Sequence, residues 1–205
     1  MTNPSIAPNP QRTLILASTS RYRRELMERL QWPFEVQSPH VDETPKPNET
    51  PLDLALRLAQ AKALAVSRMH PSALVIGSDQ VADLLGEPLG KPVSHEVATR
   101  ELERMSGQQV LFHTAVCVSC LESGFLEVQS SLVQVQFRQL NPAEIESYLL
   151  KDQPYDCAGS SKSESLGIAL VDAIQSDDPT ALIGLPLIKT LALLRKAGLN
   201  VLDRT

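Results

Sequence analysis

Two long alternating runs, QQVLFHTAVCVSCLE and FLEVQSSLVQVQFRQL, are separated by little more than Ser123 and Gly124. Period-two alternation rich in Val, Leu and Phe is the pattern of a strand with one buried face. So short a polar link folds two such strands back on each other as an antiparallel hairpin. Whatever sheet this chain forms is therefore at least partly antiparallel.

The remaining segments fit around that hairpin. TLILAS (13–18) and FEVQSP (34–39) read as short strands on either side of a helix that Ser20 or Thr19 caps and Pro33 ends. The proline-rich stretch 40–51 is a loop. Thr50 followed by Pro51 opens a long Leu/Ala-rich helix, apolar on more than one face and so central. SALVIGSDQV (72–81) is expected to be a buried strand that gives way to a polar turn at GSDQ. LLGEPLGKPVS (84–94) carries hairpin punctuation. Helices follow from Ser94 to about Met105 and over 141–151. A small-residue loop at 156–165, a last strand LGIALVDAI and a closing helix LPLIKTLALLRKAG complete the order. The expected fold is α/β, with a mixed, partly antiparallel sheet flanked by helices.

Composition narrows the partners. The 205 residues carry a net charge of −5, which argues against a nucleic acid polymer, because phosphate backbones select basic surfaces. No apolar run approaches the roughly 20 residues of a membrane span, so no membrane partner is expected. Residues 1–12, MTNPSIAPNPQR, lack an apolar signal segment and read as a flexible lead-in to a single domain over 13–205. The cytoplasm is the expected location. The sequence leaves monomer and homodimer both open. Cys117 and Cys120 form a CxxC, but in a strand residues three apart point to opposite faces. Buried thiols are the better reading than a redox or zinc pair. The four histidines show no ligand spacing.

Chemistry concentrates in a few short motifs. LASTSRYRREL (16–26) puts Ser18, Thr19, Ser20 and three arginines at the start of a helix. A helix N-terminus carries roughly half a positive charge, so cations there are unfavourable unless an anion compensates them. The stretch reads either as a polyphosphate cradle or as a capped helix with solvated arginines. GSDQ (77–80) offers Asp79, and VDET (41–44) offers Asp42 and Glu43; paired carboxylates can hold Mg²⁺ beside substrate phosphates, or can simply be solvated. Lys62, Lys91 and Lys162 have both a phosphate-neutralising and a snorkelling reading. There is no GxGxxG and no GxxxxGK[ST].

LASTSRYRREL, VDET, the helix with AQAKA, IGSDQ, GKP and AGSSKSE occur in the order and spacing of the Maf family of nucleotide pyrophosphatases, which the chain resembles over about residues 13 to 198. The Tyr22 aromatic, Gln80 after Asp79, and KSE in the late loop favour the branch acting on 7-methyl-GTP, where Trp often stands in place of Tyr22. The resemblance implies a cleft between two lobes, as in inosine triphosphate pyrophosphatases. It also implies cleavage between the α- and β-phosphates of a small-molecule nucleotide, with Mg²⁺, Mn²⁺ or Co²⁺ as cofactor. By the same resemblance Asp79 is the proton acceptor and, with Glu43, a metal ligand. Ser18, Arg23, Lys62 and Lys91 handle phosphate; Tyr22, Gln80 and Glu164 set specificity. The alternatives are the branch acting on dTTP and UTP, and a non-catalytic nucleotide-binding regulator of septum formation.

Overall fold

A computed structural model describes residues 12–203; all of the expected lead-in except Arg12 lies outside them. One seven-stranded sheet runs through the chain in the order β2-β1-β3-β5-β6-β7, with β4 pairing off β3. Strand β1 (Leu14–Ala17) is parallel to both β2 (Glu35–Gln37) and β3 (Leu74–Leu84). From β3 onward every pairing is antiparallel: β4 (Glu87–Leu89), β5 (Gln109–Cys120), β6 (Phe125–Phe137) and β7 (Val171–Ser176). The fold is the expected mixed α/β arrangement, and β5 and β6 form the expected hairpin, paired from Gln109–Gln136 to Cys120–Phe125.

Five α-helices among the described residues cover the sheet: α1 (Arg21–Glu28), α2 (Pro51–Ser67), α3 (His95–Met105), α4 (Pro142–Asp152) and α5 (Leu187–Lys196). Strand periodicity divides the core. Ile15, Val75, Val81, Ala115 and Cys117 pack with Leu54, Leu58 and Ala63 of α2. Residues of opposite parity, Leu74, Ile76, Val116, Val118 and Cys120, pack with α1 and α5. Further along the same strands, Ala82, Leu84, Val110 and Phe112 pack with α3 and α4. The long strands thus carry two lobes. Cys117 and Cys120 belong to different cores, on opposite faces, and burial pushes the Cys117 thiol up to about 12. They are structural thiols.

Two expectations are corrected. GSDQ is not a turn: β3 continues through it, with Gly77, Ser78, Asp79 and Gln80 opposite Cys117, Val116, Ala115 and Thr114. Polar residues persist in the strand because each has a partner across the core. LGIALVDAI is only half a strand. Leu166–Leu170 is a 3₁₀ turn and pairing begins at Val171. A Cβ on Gly167 would lie 2.5 Å from the Lys162 carbonyl oxygen. That close approach folds the segment onto the preceding loop and delays its entry into the sheet.

Candidate active site

The basic turn at α1 and the acidic residues of β3 face one another across a cleft of ≈730 Å³. A volume of that size suits a nucleotide. The N-terminus of α1 forms one wall. Ser20 is the N-cap, its hydroxyl accepting from Arg23 N, and Ser18 Oγ accepts from Ser20 N at 3.1 Å. Arg23 Nε donates to Gly184 O at 2.7 Å, which aims the guanidinium inward beside Ser18. Burial lowers the Arg23 pKa, while Asp79 and Glu43 work in the opposite sense. Of the other two arginines, Arg24 pairs with Glu28 in solvent, and Arg21 pairs with Asp156 at the edge of the cleft.

The floor is built by β3 and α2. Gly77 lets them approach closely, since a Cβ there would sit 2.3 Å from Ala59 O. Two residues on, Asp79 points to the same side of the strand as Gly77. Lys62, three residues beyond Ala59 on the helix, meets it: Lys62 Nζ donates to Asp79 Oδ1 at 2.6 Å, and both residues are buried. A second carboxylate joins from the 40–50 loop, Glu43 Oε1 at 2.7 Å from the same ammonium. Burial pushes Glu43 up, but the hydrogen bond and charge of Lys62, with Lys91 and Arg23, outweigh it and hold its carboxyl below the usual value. Arg57 of α2 steadies the loop, donating to Glu49 Oε2 at 2.8 Å and to Thr44 O at 3.0 Å.

Gln80 points the other way along the strand. Its Nε2 donates to Thr114 Oγ1, Ala181 O and Leu182 O, and Ser78 Oγ donates to Gly184 O at 3.0 Å. Ser78 and Gln80 therefore hold the 181–184 loop, whose Gly184 carbonyl positions Arg23. Thr180 and Leu187 at the ends of this loop are tied down by the buried Asp178, directly and through Thr180 Oγ1.

Ser18, Tyr22, Arg23, Glu43, Lys62, Asp79, Gln80 and Lys91 all line the cleft. Glu164 does not: it is exposed on the late loop, and its recorded partner is Ser163. The carboxylate that does line the cleft from that part of the chain is Asp156. Sequence reasoning passed over Asp156, Arg57 and the Gly184 carbonyl. Lys162 is buried, its ammonium donating to Asp152 O and Gln153 O and pairing with Asp156.

Comparison with known proteins follows the motifs. The 7-methyl-GTP pyrophosphatase of Polaromonas sp. (strain JS666) is 62% identical over 187 residues, covering 91% of this chain and 85% of that protein. That of Albidiferax ferrireducens is 57% identical, covering 94% and 96%; that of Bordetella pertussis is 54% identical, covering 97% of each. Among solved structures, the Staphylococcus aureus Ham1 protein aligns at a TM-score of 0.45 and 18% identity, over 62% of this chain and 72% of that one, and adds nothing to the assignment. The Maf-like protein family matches residues 13–197. With nearly the whole domain matched and relatives above 50% identity, the chain belongs to the Maf-like protein family.

Proposed function

We propose that this chain, acting as a single domain over 13–205, hydrolyses 7-methyl-GTP to 7-methyl-GMP and pyrophosphate. The observation that carries the reading is the confrontation, in one cleft, of the basic turn Ser18–Arg23 with the acidic pair Glu43 and Asp79. It stands in a chain 62% identical to a protein named for that activity.

Each wall has work in this reading. The free N–H groups of α1, Ser18 and Arg23 receive the triphosphate at a helix N-terminus, where anions are favoured. Lys91, exposed at the rim, neutralises the departing pyrophosphate. Lys62 orients Asp79 through Oδ1 and leaves Oδ2 to take the proton of the attacking water. Gln80 borders the substrate from the cleft wall, its amide donors committed to Thr114 and the 181–184 loop. Tyr22 offers its ring to the base.

A divalent cation, Mg²⁺, Mn²⁺ or Co²⁺, fits the donor set. Among the described residues no group of three or more His, Cys, Asp or Glu forms a cage. Glu43 and Asp79 share one ammonium and so lie close together. Hard cations of this kind are commonly bound by one or two carboxylates, substrate phosphates and water. When bound, the cation neutralises charge on the phosphates. No helix among the described residues is long and apolar enough to cross a membrane, and three free thiols with a nucleotide substrate suit the cytoplasm.

The test is pyrophosphate release from 7-methyl-GTP, GTP, dTTP and UTP, each with Mg²⁺ or Mn²⁺. Preference for 7-methyl-GTP is expected. Preference for dTTP and UTP, or no turnover of any nucleotide, would sink the reading.

A further inference from the structure

Tyr22 does not present a bare ring. The Arg21 guanidinium lies over it, 4.7 Å from the centroid, and Arg21 Nη2 donates to the Tyr22 hydroxyl at 2.6 Å. The same hydroxyl donates to Asp156 Oδ2 at 3.1 Å, and Arg21 Nη2 lies 3.5 Å from that carboxylate oxygen. Behind them the buried Lys162 pairs with Asp156 Oδ1 at 3.3 Å. All three outer residues line the cleft. A planar cation therefore rests on an aromatic face with its N–H edge toward a carboxylate.

An N7-methylated guanine has the same recognition chemistry as that guanidinium. It is flat, its positive charge is delocalised, and its N1–H and amino group form a two-donor edge suited to a carboxylate. Its face is drawn to an aromatic ring as any cation's is. We infer that Tyr22 and Asp156 form the base subsite, that Asp156 is the carboxylate discriminating methylated from unmethylated guanine, and that Arg21 holds the place the base takes. This rests on the 7-methyl-GTP reading and names the residues that would give it selectivity.

Charge balance supplies the discrimination. Asp156 is fixed on one oxygen by Lys162; burial pushes it up, but Tyr22 and Lys162 outweigh that and hold it ionised. Its other oxygen faces Arg21. A methylated base that displaces Arg21 returns a cation to this site, whereas unmodified guanine returns none. Arg21 is free to leave, because 65% of its side chain is exposed and its recorded partners are Tyr22 and Asp156. Glu164, outside the cleft, has no such position.

Two variants with opposite expected signs test this in the full-length chain. Asp156→Asn should lower the ratio of kcat/KM for 7-methyl-GTP over GTP by about tenfold, the loss of one charge-assisted contact. Arg21→Ala removes the competing cation and should tighten binding of 7-methyl-GMP, measured by quenching of protein fluorescence, by a few-fold to about tenfold. A gain in affinity cannot come from misfolding. An unchanged ratio in Asp156→Asn, or equal losses for both nucleotides, overturns the role of Asp156. Unchanged or weaker binding in Arg21→Ala overturns the place-holding role. If wild type prefers 7-methyl-GTP and these variants behave otherwise than expected, only the subsite assignment falls; if wild type does not act on 7-methyl-GTP, both fall together.

Discussion

Lys62 and Asp79 meet at 2.6 Å across the join between α2 and β3, and both are nearly sealed from solvent, at 5% and 7% exposure. Lys62→Met strips the cation from this pair and from Glu43. A fall in kcat/KM of about 100-fold is expected, as for loss of one preorganised charged donor. The pH profile gives a sharper reading. In the wild type Lys62 helps depress the Glu43 pKa, so that carboxylate stays charged at all pH above its lowered value. Without Lys62, burial acts with less opposition, the pKa rises, and the acid limb of the kcat/KM profile should move to higher pH. An acid limb that stays in place would exclude control of Glu43 by Lys62.

Asp79→Asn keeps the shape and the contact with Lys62 but removes the carboxylate proposed as proton acceptor. A drop in kcat of about 100-fold or more is expected, with folding preserved. Steady-state kinetics with saturating nucleotide and metal decides it; a near-normal kcat would reassign the base.

Arg57→Ala releases the loop that presents Glu43. Glu49, held by Arg57, has its pKa lowered from 4.5 to about 2, first through that hydrogen bond. A depressed carboxyl contributes its anchoring above the unfolded value and loses it only as pH falls through about 2. The anchor is therefore constant across neutral pH. The variant should need several-fold more metal for half-maximal activity and recover much of its kcat at saturation. Metal titrations at pH 6 and pH 8 should show the same displacement; a metal requirement equal to wild type would count against the anchor.

Gly77→Ala places a methyl where the Ala59 carbonyl already sits. Overpacking of this kind costs about 1–3 kcal/mol. Because the intruding atom pushes α2 from β3, it also separates Lys62 from Asp79. Urea unfolding should show the loss of stability, and activity measured where the variant is fully folded should fall as well. Lost stability with intact turnover would uncouple the packing from the chemistry.

The motifs were legible because each carries local information. Thr50-Pro51, the Ser20 cap and the alternation of β5 and β6 state their conformation within a few residues. The cleft that unites Ser18, Glu43, Lys62 and Asp79 was reachable only through resemblance. The misread segments have a different cause. The polarity of GSDQ suggested a turn because its partners, Lys62, Thr114 and the 181–184 loop, are distant in sequence. Asp156, inferred above to meet the base, carries no local signal for the same reason: it reaches Tyr22 across 134 positions. Nothing in the local pattern distinguishes it from Glu164, which is equally acidic and lies eight residues away.

Strand β3 separates its duties by odd and even position. Gly77 and Asp79 face the helix and the chemistry, while Ser78 and Gln80 grip the loop that aims Arg23. Exchanging one side chain here disturbs one of these duties, whereas changing the number of residues disturbs both. One residue inserted or deleted between 77 and 80 would turn the loop-holding side chains toward Lys62 and the carboxylate toward Gly184. The stretch Gly77–Gln80 is therefore also a ruler, and its count is constrained by the alternation itself, apart from the letters that fill it.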